Sequence, residues 1–167
     1  MSSNQYIKAI AVFFPNKQNN SKVSGTVIFK ESNRSNNIII DVKLSGLTPG
    51  KHGFHIHESG NLLDNCKQCK GHFNPFNQTH GSLNSTIRHL GDLGNITADA
   101  NGNVNTTVTT NAITLRGLQR NIIGRSVVIH ADEDDLGKGG NEESLKTGNA
   151  GSRIGCAVIG YADAYYF

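Results

Sequence analysis

The chain has 167 residues, 36% of them hydrophobic and 17% charged, with a net charge of +3 from 16 Lys+Arg against 13 Asp+Glu. That length fits one domain spanning 1–167, no apolar run reaches the roughly 20 residues of a membrane helix, and 19 Gly beside 20 Asn exclude a coiled coil. The charge is too low to drive disorder, and with no basic run longer than two residues neither a nucleic-acid nor a membrane partner is expected.

The first half of the chain reads as strands. Ile7, Ala9, Ala11 and Phe13 alternate with Tyr6, Lys8, Ile10 and Val12. Val23, Gly25, Val27 and Phe29 form a second alternating set, and Ile38, Ile40, Val42 and Leu44 a third. Period-2 alternation of β-branched residues marks half-buried strands. Thr48-Pro49-Gly50 predicts a tight turn, and a fourth strand covers His52–His57. The pattern then stops over Glu58–Gly91, a loop long enough to point to function. Strands resume at Leu93–Ala98, Asn103–Thr110 and Ser126–His130. A Gly-rich loop spans Ala131–Arg153, a last strand is expected over Ile154–Ala162, and 163–167 form a short aromatic tail. Eight short strands without a convincing helix predict an all-β sandwich or barrel with two long functional loops. The start MSSNQYIKAIAVFF lacks the charge and apolar pattern of a signal peptide, so the expected location is cytoplasmic.

Seven His stand at 52, 55, 57, 72, 80, 89 and 130, almost all in or beside the two loops. His55 and His57, two apart in a strand, share one sheet face and can meet one ion. His72, His80 and His89 follow in the first loop, with Asp92 three residues later, and His130 ends the strand entering the second loop. Six imidazoles and a carboxylate exceed one tetrahedral site, and their chemistry suits copper and zinc. Two metals are therefore expected, and spacing alone does not say which two.

These residues resemble a known family. Gly53-Phe54-His55-Ile56-His57-Glu58 resembles the signature of copper/zinc superoxide dismutases. His72-Phe73-Asn74-Pro75, His80 and Arg88-His89-Leu90-Gly91-Asp92 are similar to that family's metal loop, and Gly124–His130 to its last copper-ligand strand. Asp134–Ser144 and Lys146–Arg153 are similar to its electrostatic loop. The resemblance implies an eight-stranded antiparallel Greek-key barrel or sandwich. It also implies dismutation of superoxide to oxygen and hydrogen peroxide, as antioxidant defence, by alternate reduction and oxidation of a His-bound copper. It assigns copper to His55, His57, His72 and His130, and zinc to His72, His80, His89 and Asp92, with His72 as the bridge and catalytic proton carrier. Asp134 is implied to link His55 to His80, Arg153 to hold the anion, and Lys146 and Thr147 to steer it. His52 is implied to be structural.

Cys66-x-x-Cys69 alone resembles half a zinc ribbon or a redox pair. The resemblance instead implies a disulfide between Cys66 and Cys156, leaving Cys69 as an inert loop thiol or an exchange partner. It further implies a homodimer, although Ser59 replaces an aromatic common at that contact. Ala131-Asp132-Glu133 is more acidic than in relatives with a steering lysine there, which implies weaker steering. A copper chaperone is an optional partner, because Ser152 and Ile154 flank Arg153 without proline. The Asn surplus fits an AT-rich genome, microbial or of a large DNA virus, the latter implying host cytoplasm or virion. Two rivals are a copper-delivery module, which usually lacks some of these ligands, and a mononuclear zinc hydrolase, which needs an open zinc position and a base.

Overall fold

In the computed structural model, residues 6–16, 21–32 and 35–163 are described. Their strands, in chain order, are β1 Tyr6–Phe13, β2 Ser24–Ser32, β3 Ile38–Ser45, β4 Gly50–His57, β5 Asp92–Ala98, β6 Val104–Thr110, β7 Ser126–His130, β8 Arg153–Val158 and β9 Gly160–Tyr161. They form two antiparallel sheets, ordered β6-β3-β2-β1-β9 and β5-β4-β7-β8. The sheets meet at both sides, β1, next to the short edge strand β9, beside β8 and β5 beside β6, which closes a flattened barrel. Among the described residues no helix is long and apolar enough to cross a membrane.

The alternation in the first three strands is the alternation of burial. Ile7, Ala9, Ala11 and Phe13 of β1 point inward, as do Val27 and Phe29 of β2 and Ile38, Ile40, Val42 and Leu44 of β3. They join Phe54 and Ile56 of β4 and Val127 and Ile129 of β7 in one apolar cluster. Glu31 is the polar exception on an inward face. Its carboxylate accepts from Leu115 N at 2.7 Å and Arg116 Nε at 3.1 Å, which offsets the desolvation of the charge.

β4 and β7 differ in being buried on both faces. Phe54 and Ile56 face the core, whereas His55 and His57 face outward and are covered by the two long loops. The first loop is stitched onto β4 between those histidines. Ile56 N donates to Gly91 O at 2.9 Å, Phe73 N to Ile56 O at 2.8 Å, and Gly91 N to Phe73 O at 3.0 Å. A Cβ at Gly91 would lie 2.1 Å from Ile56 O, so only glycine permits this approach. Register shifts at Gly53/His55 and Ile129/His130 re-aim both histidines and set Arg153 opposite His130.

Two sequence expectations need revision. The last strand is two strands: β8 lies in one sheet and β9 pairs with β1 in the other, with buried Ile159 at the crossing. The second loop also carries a four-residue helix, α1 Ser144–Thr147, and the first carries a 3-10 turn at Lys67–Cys69. The expected tail falls mostly on 164–167, outside the described residues.

Candidate metal centre

The outward face of β4 and the first loop bring His55, His57, His72 and His130 together, with one ligand atom of each within 4.8 Å of the others. His72, His80, His89 and Asp92 form a second such group, and His72 belongs to both. All seven are buried.

The rings of His55, His57, His80 and His130 are each oriented by a bond on the far nitrogen. His57 Nδ1 donates to Lys70 O at 2.7 Å and His130 Nδ1 to Gly151 O at 3.1 Å. Their Nε2 atoms are thereby aimed at each other, 3.3 Å apart. His55 Nε2 donates to Asp134 Oδ2 at 2.8 Å, which leaves its Nδ1 buried without a partner. His72 Nε2 and His80 Nδ1 are orphaned in the same way. Buried polar atoms normally find a partner, so three orphans at the centre of two clusters mark positions where something else binds.

The second group shows the same signature. His72 Nδ1, His80 Nδ1 and His89 Nδ1 lie 2.8, 3.0 and 3.1 Å from one oxygen, Asp92 Oδ1. His89 Nδ1 also lies 3.2 Å from His72 Nδ1. Tetrahedral zinc ligands at about 2.0–2.1 Å would stand roughly 3.3 Å from one another, close to these separations. Asp92 Oδ2 is held separately by Gly81 N at 3.0 Å and His89 N at 2.8 Å. The donor sets therefore fit copper on one side and zinc on the other, with His72 presenting a nitrogen to each.

His55, His80 and Asp134 form a third compact group. Asp134 Oδ2 and Oδ1 each sit 2.8 Å from the far nitrogen of His55 and His80, so this carboxylate orients the two ligand sets. Asp134 is held in turn by Asn95, whose Oδ1 accepts from Asp134 N and whose Nδ2 donates to Asp134 O, at 2.8 and 2.9 Å. Gly148 packs on it: a Cβ there would lie 2.0 Å from Asp134 Oδ1. Neither Asn95 nor Gly148 stands out in one sequence, since Asn and Gly are abundant throughout. His52 lies apart from the clusters, 2.8 Å from the carbonyls of both His130 and Thr48.

A cavity of about 450 Å³ opens over this centre, lined by His57, His72, His130, Lys146, Thr147 and Arg153 among others. Arg153 is clamped by backbone carbonyls of the first loop. Nη1 donates to Cys66 O at 2.5 Å and Lys67 O at 3.2 Å, and Nη2 to Lys70 O at 2.6 Å. Cys66 is disulfide-bonded to Cys156, which holds that loop against β8. Cys69 is free and buried beside the disulfide, and burial pushes its thiol up. Lys146 pairs with Glu142 at 2.5 Å, and Thr147 Oγ1 bonds Glu143 Oε1 at 2.7 Å. Glu133 of the acidic stretch is paired with Lys51 at 2.7 Å.

Burial and neighbouring His72 hold His55 and His57 well below the ordinary imidazole range, and burial puts His130 at about 4. Burial also opposes charge on His80, but its hydrogen bond to Asp134 and the negative charge of the adjacent Asp92 outweigh it and raise the group to about 9. At pH 7 the metal-free protein thus keeps a proton on His80 and none on His55, His57 or His130. A metal ion taken up by His80 must displace that proton, because ligands bind deprotonated. One equivalent of zinc added at pH 7 is expected to release about one proton, and zinc affinity to fall about tenfold per unit from pH 8 to 5. Calorimetry in buffers of different ionisation enthalpy reads both; a pH-independent affinity contradicts the raised His80.

Residues 23–159 match the family model described as Copper/zinc superoxide dismutase (SODC). The chain is 60% identical over 141 residues to a Cu-Zn superoxide dismutase of Paramecium bursaria Chlorella virus 1, covering 84% of this chain and 74% of the relative. A Cu-Zn superoxide dismutase of Neurospora crassa is 51% identical over 155 residues, 92% of this chain and 97% of the relative. An extracellular Cu-Zn superoxide dismutase of Drosophila melanogaster is 47% identical over 158 residues, 94% of this chain and 87% of the relative.

Proposed function

The chain belongs to the copper/zinc superoxide dismutase family, and from that premise we propose a residue-by-residue account of how it works. Its activity is the conversion of superoxide to oxygen and hydrogen peroxide, with copper and zinc as cofactors. We assign copper to His55, His57, His72 and His130, and zinc to His72, His80, His89 and Asp92. The observation that carries the assignment is the set of buried, partnerless ring nitrogens, His55 Nδ1, His72 Nε2 and His80 Nδ1, at the centre of the two clusters. We treat 1–167 as one domain, a reading supported by the large apolar cluster that both sheets share.

Copper, when bound, supplies one-electron exchange in both directions, which zinc cannot, and zinc supplies a fixed charge. The protein's own groups do the rest. His72 is the catalytic proton carrier: its Nε2 faces the copper cluster while Nδ1 stays fixed among His89 and Asp92. Lining the cavity as well, it can hold a proton at Nε2 and hand it to the departing peroxide. Arg153, beside His57 and His130 on the cavity wall, binds the anion through charge-assisted hydrogen bonds, and its carbonyl clamp fixes the fork. Lys146 and Thr147 at the cavity rim steer superoxide inward. Replacing Arg153 with alanine is expected to lower kcat/KM about 10- to 100-fold, the value of a charged hydrogen bond, with Arg153→Lys between. Unchanged kcat/KM at low salt would remove Arg153 from the path.

We propose a homodimer. Val12, Phe14, Leu62, Leu63 and Val158 are exposed, and Val12, Phe14 and Leu62 line one apolar cavity beside the disulfide. Sedimentation should give twice 18.0 kDa, and Phe14→Glu with Val158→Glu should give the single mass; a wild-type monomer overturns it. Copper loading without a chaperone is read as partly available, since the residues beside Arg153 are not proline; activity that vanishes in a chaperone-deleted host rejects this. We propose a cytoplasmic location, where the Cys66–Cys156 disulfide would be an exception to the usual reduced state of thiols. Fractionation tests it, and recovery only outside the cell contradicts it.

A further inference from the structure

Another cavity, of about 460 Å³, shares no lining residue with the one over the metal centre. Three segments distant in sequence enclose it: the first loop from Phe76 to Leu90, the turn at Asn111–Ala112, and Arg120. Its wall carries two arginines, Arg88 and Arg120, and no acidic residue. Among the described residues, neither guanidinium has a carboxylate within 4.0 Å. Arg88 is half-buried, and its one hydrogen bond among them is a long one, Nη1 to His89 O at 3.4 Å. Arg120 stands over the Phe76 ring, 5.7 Å from its centre.

The frame of this cavity is built by short-range hydrogen bonds. Asn74 clamps Gln78 through both its amide atoms, at 2.8 and 2.9 Å, and Gln78 Nε2 donates to Phe76 O at 3.1 Å. Ser82 and Ser85 bond each other at 2.8 Å, and Ala112 N donates to Thr110 Oγ1 at 3.2 Å. Phe76 is thus presented 39% exposed, and Ile87, on the same wall, 58% exposed.

A guanidinium has five N–H donors, so Arg88 keeps four unused in a partly desolvated place. Burial disfavours the Arg88 charge and Asp92, beyond ion-pair distance, offsets this only in part; a planar fork matches phosphate oxygens in pairs. A phosphate dianion has oxygens enough for two such forks. The opposite character of Phe76, Ile87, Leu90 and Ala112 suits a flat, largely apolar body attached to that head group. The cavity also falls in the roughly 300–1,000 Å³ range of small-ligand sites. We propose that this cavity binds a nucleoside monophosphate, the phosphate on Arg88 and Arg120 and the base against Phe76 and Ile87. The site shares no lining residue with the metal-centre cavity, although Arg88 adjoins His89 of the second ligand group.

The test is calorimetry on the metal-loaded protein with adenosine 5′-monophosphate, inorganic phosphate and adenosine as separate ligands. The nucleotide should bind saturably, with phosphate and adenosine each weaker by about tenfold or more. Arg120→Gln should weaken the nucleotide about tenfold, the effect of losing one charge-assisted contact. Phe76→Ser should weaken the nucleotide and leave phosphate unchanged. Neither residue touches the metal centre, so both variants should keep superoxide decay, which reports folding. If either misfolds, amide shifts of the reduced wild-type protein decide: nucleotide should move Phe76, Ile87 and Arg120. No saturable nucleotide binding, binding that survives both substitutions, phosphate as tight as the nucleotide, or shifts confined to Lys146–Arg153 each overturn the proposal.

Discussion

Replacing Asp134 with alanine is expected to weaken both metal sites at once, by about 10- to 100-fold each. One carboxylate accepts from His55 on the copper side and His80 on the zinc side, each at 2.8 Å. Its Oδ1 also accepts from Leu136 N at 2.7 Å, so the substitution loosens the start of the second loop as well. Alanine leaves two buried N–H groups without acceptors and frees both rings to turn. Asparagine is the informative comparison. Its amide oxygen can serve one imidazole, but its NH₂ faces the other N–H donor to donor. Asp134→Asn should therefore cost one site far more than the other, whereas Asp134→Ala costs both. Chelator competition for each metal measures this, and saturating metal should restore much of the activity. If Asp134→Ala keeps both affinities within about twofold, Asp134 does not orient the ligands.

The second large effect is on stability. The Cys66–Cys156 bond closes a loop of 90 residues. Chain-entropy arguments put such a cross-link at about 4–5 kcal/mol. Cys156→Ser should lower the melting temperature of the metal-free protein by about 10–15 °C at this chain length. It should also lower activity, because the loop whose carbonyls clamp Arg153 loses its tie to β8. Cys69→Ser, next to the same bond but outside it, should do neither. Calorimetry of the three proteins side by side separates these outcomes; equal melting of Cys156→Ser and wild type would deny the disulfide a role in holding the fold.

The strands that could be read from sequence are those with one wet face. β1, β2 and β3 alternate because water covers one side and the core the other. β4 and β7 do not alternate, because the loops bury their outer faces too, yet His55 and His57 two apart still gave away that outer face. The split of β8 from β9 was not legible: Ile159 is apolar and buried on either reading, and the change of sheet depends on the β9 pairing with β1. Helix α1 is too short for any periodicity to reveal.

Residue types carried much of the metal centre. Imidazoles with a nearby carboxylate restrict the chemistry, but their partition into two sets sharing His72 depends on ring orientation. That orientation is fixed by groups a sequence does not flag, the carbonyls of Lys70 and Gly151 behind His57 and His130. Asn95 and Gly148 around Asp134 are hidden for the same reason. The clamp on Arg153 is entirely backbone and leaves no side-chain pattern.

The central claim is that two buried histidine clusters joined by His72 hold one copper and one zinc and that the copper side carries the reaction. Metal analysis and superoxide decay on the same native sample test it most directly. About one copper and one zinc per chain are expected, one for each cluster. Activity should disappear on copper chelation and return with copper but not with zinc. Zinc in both sites of the native protein with no superoxide decay, or decay that persists once copper is removed, would contradict it.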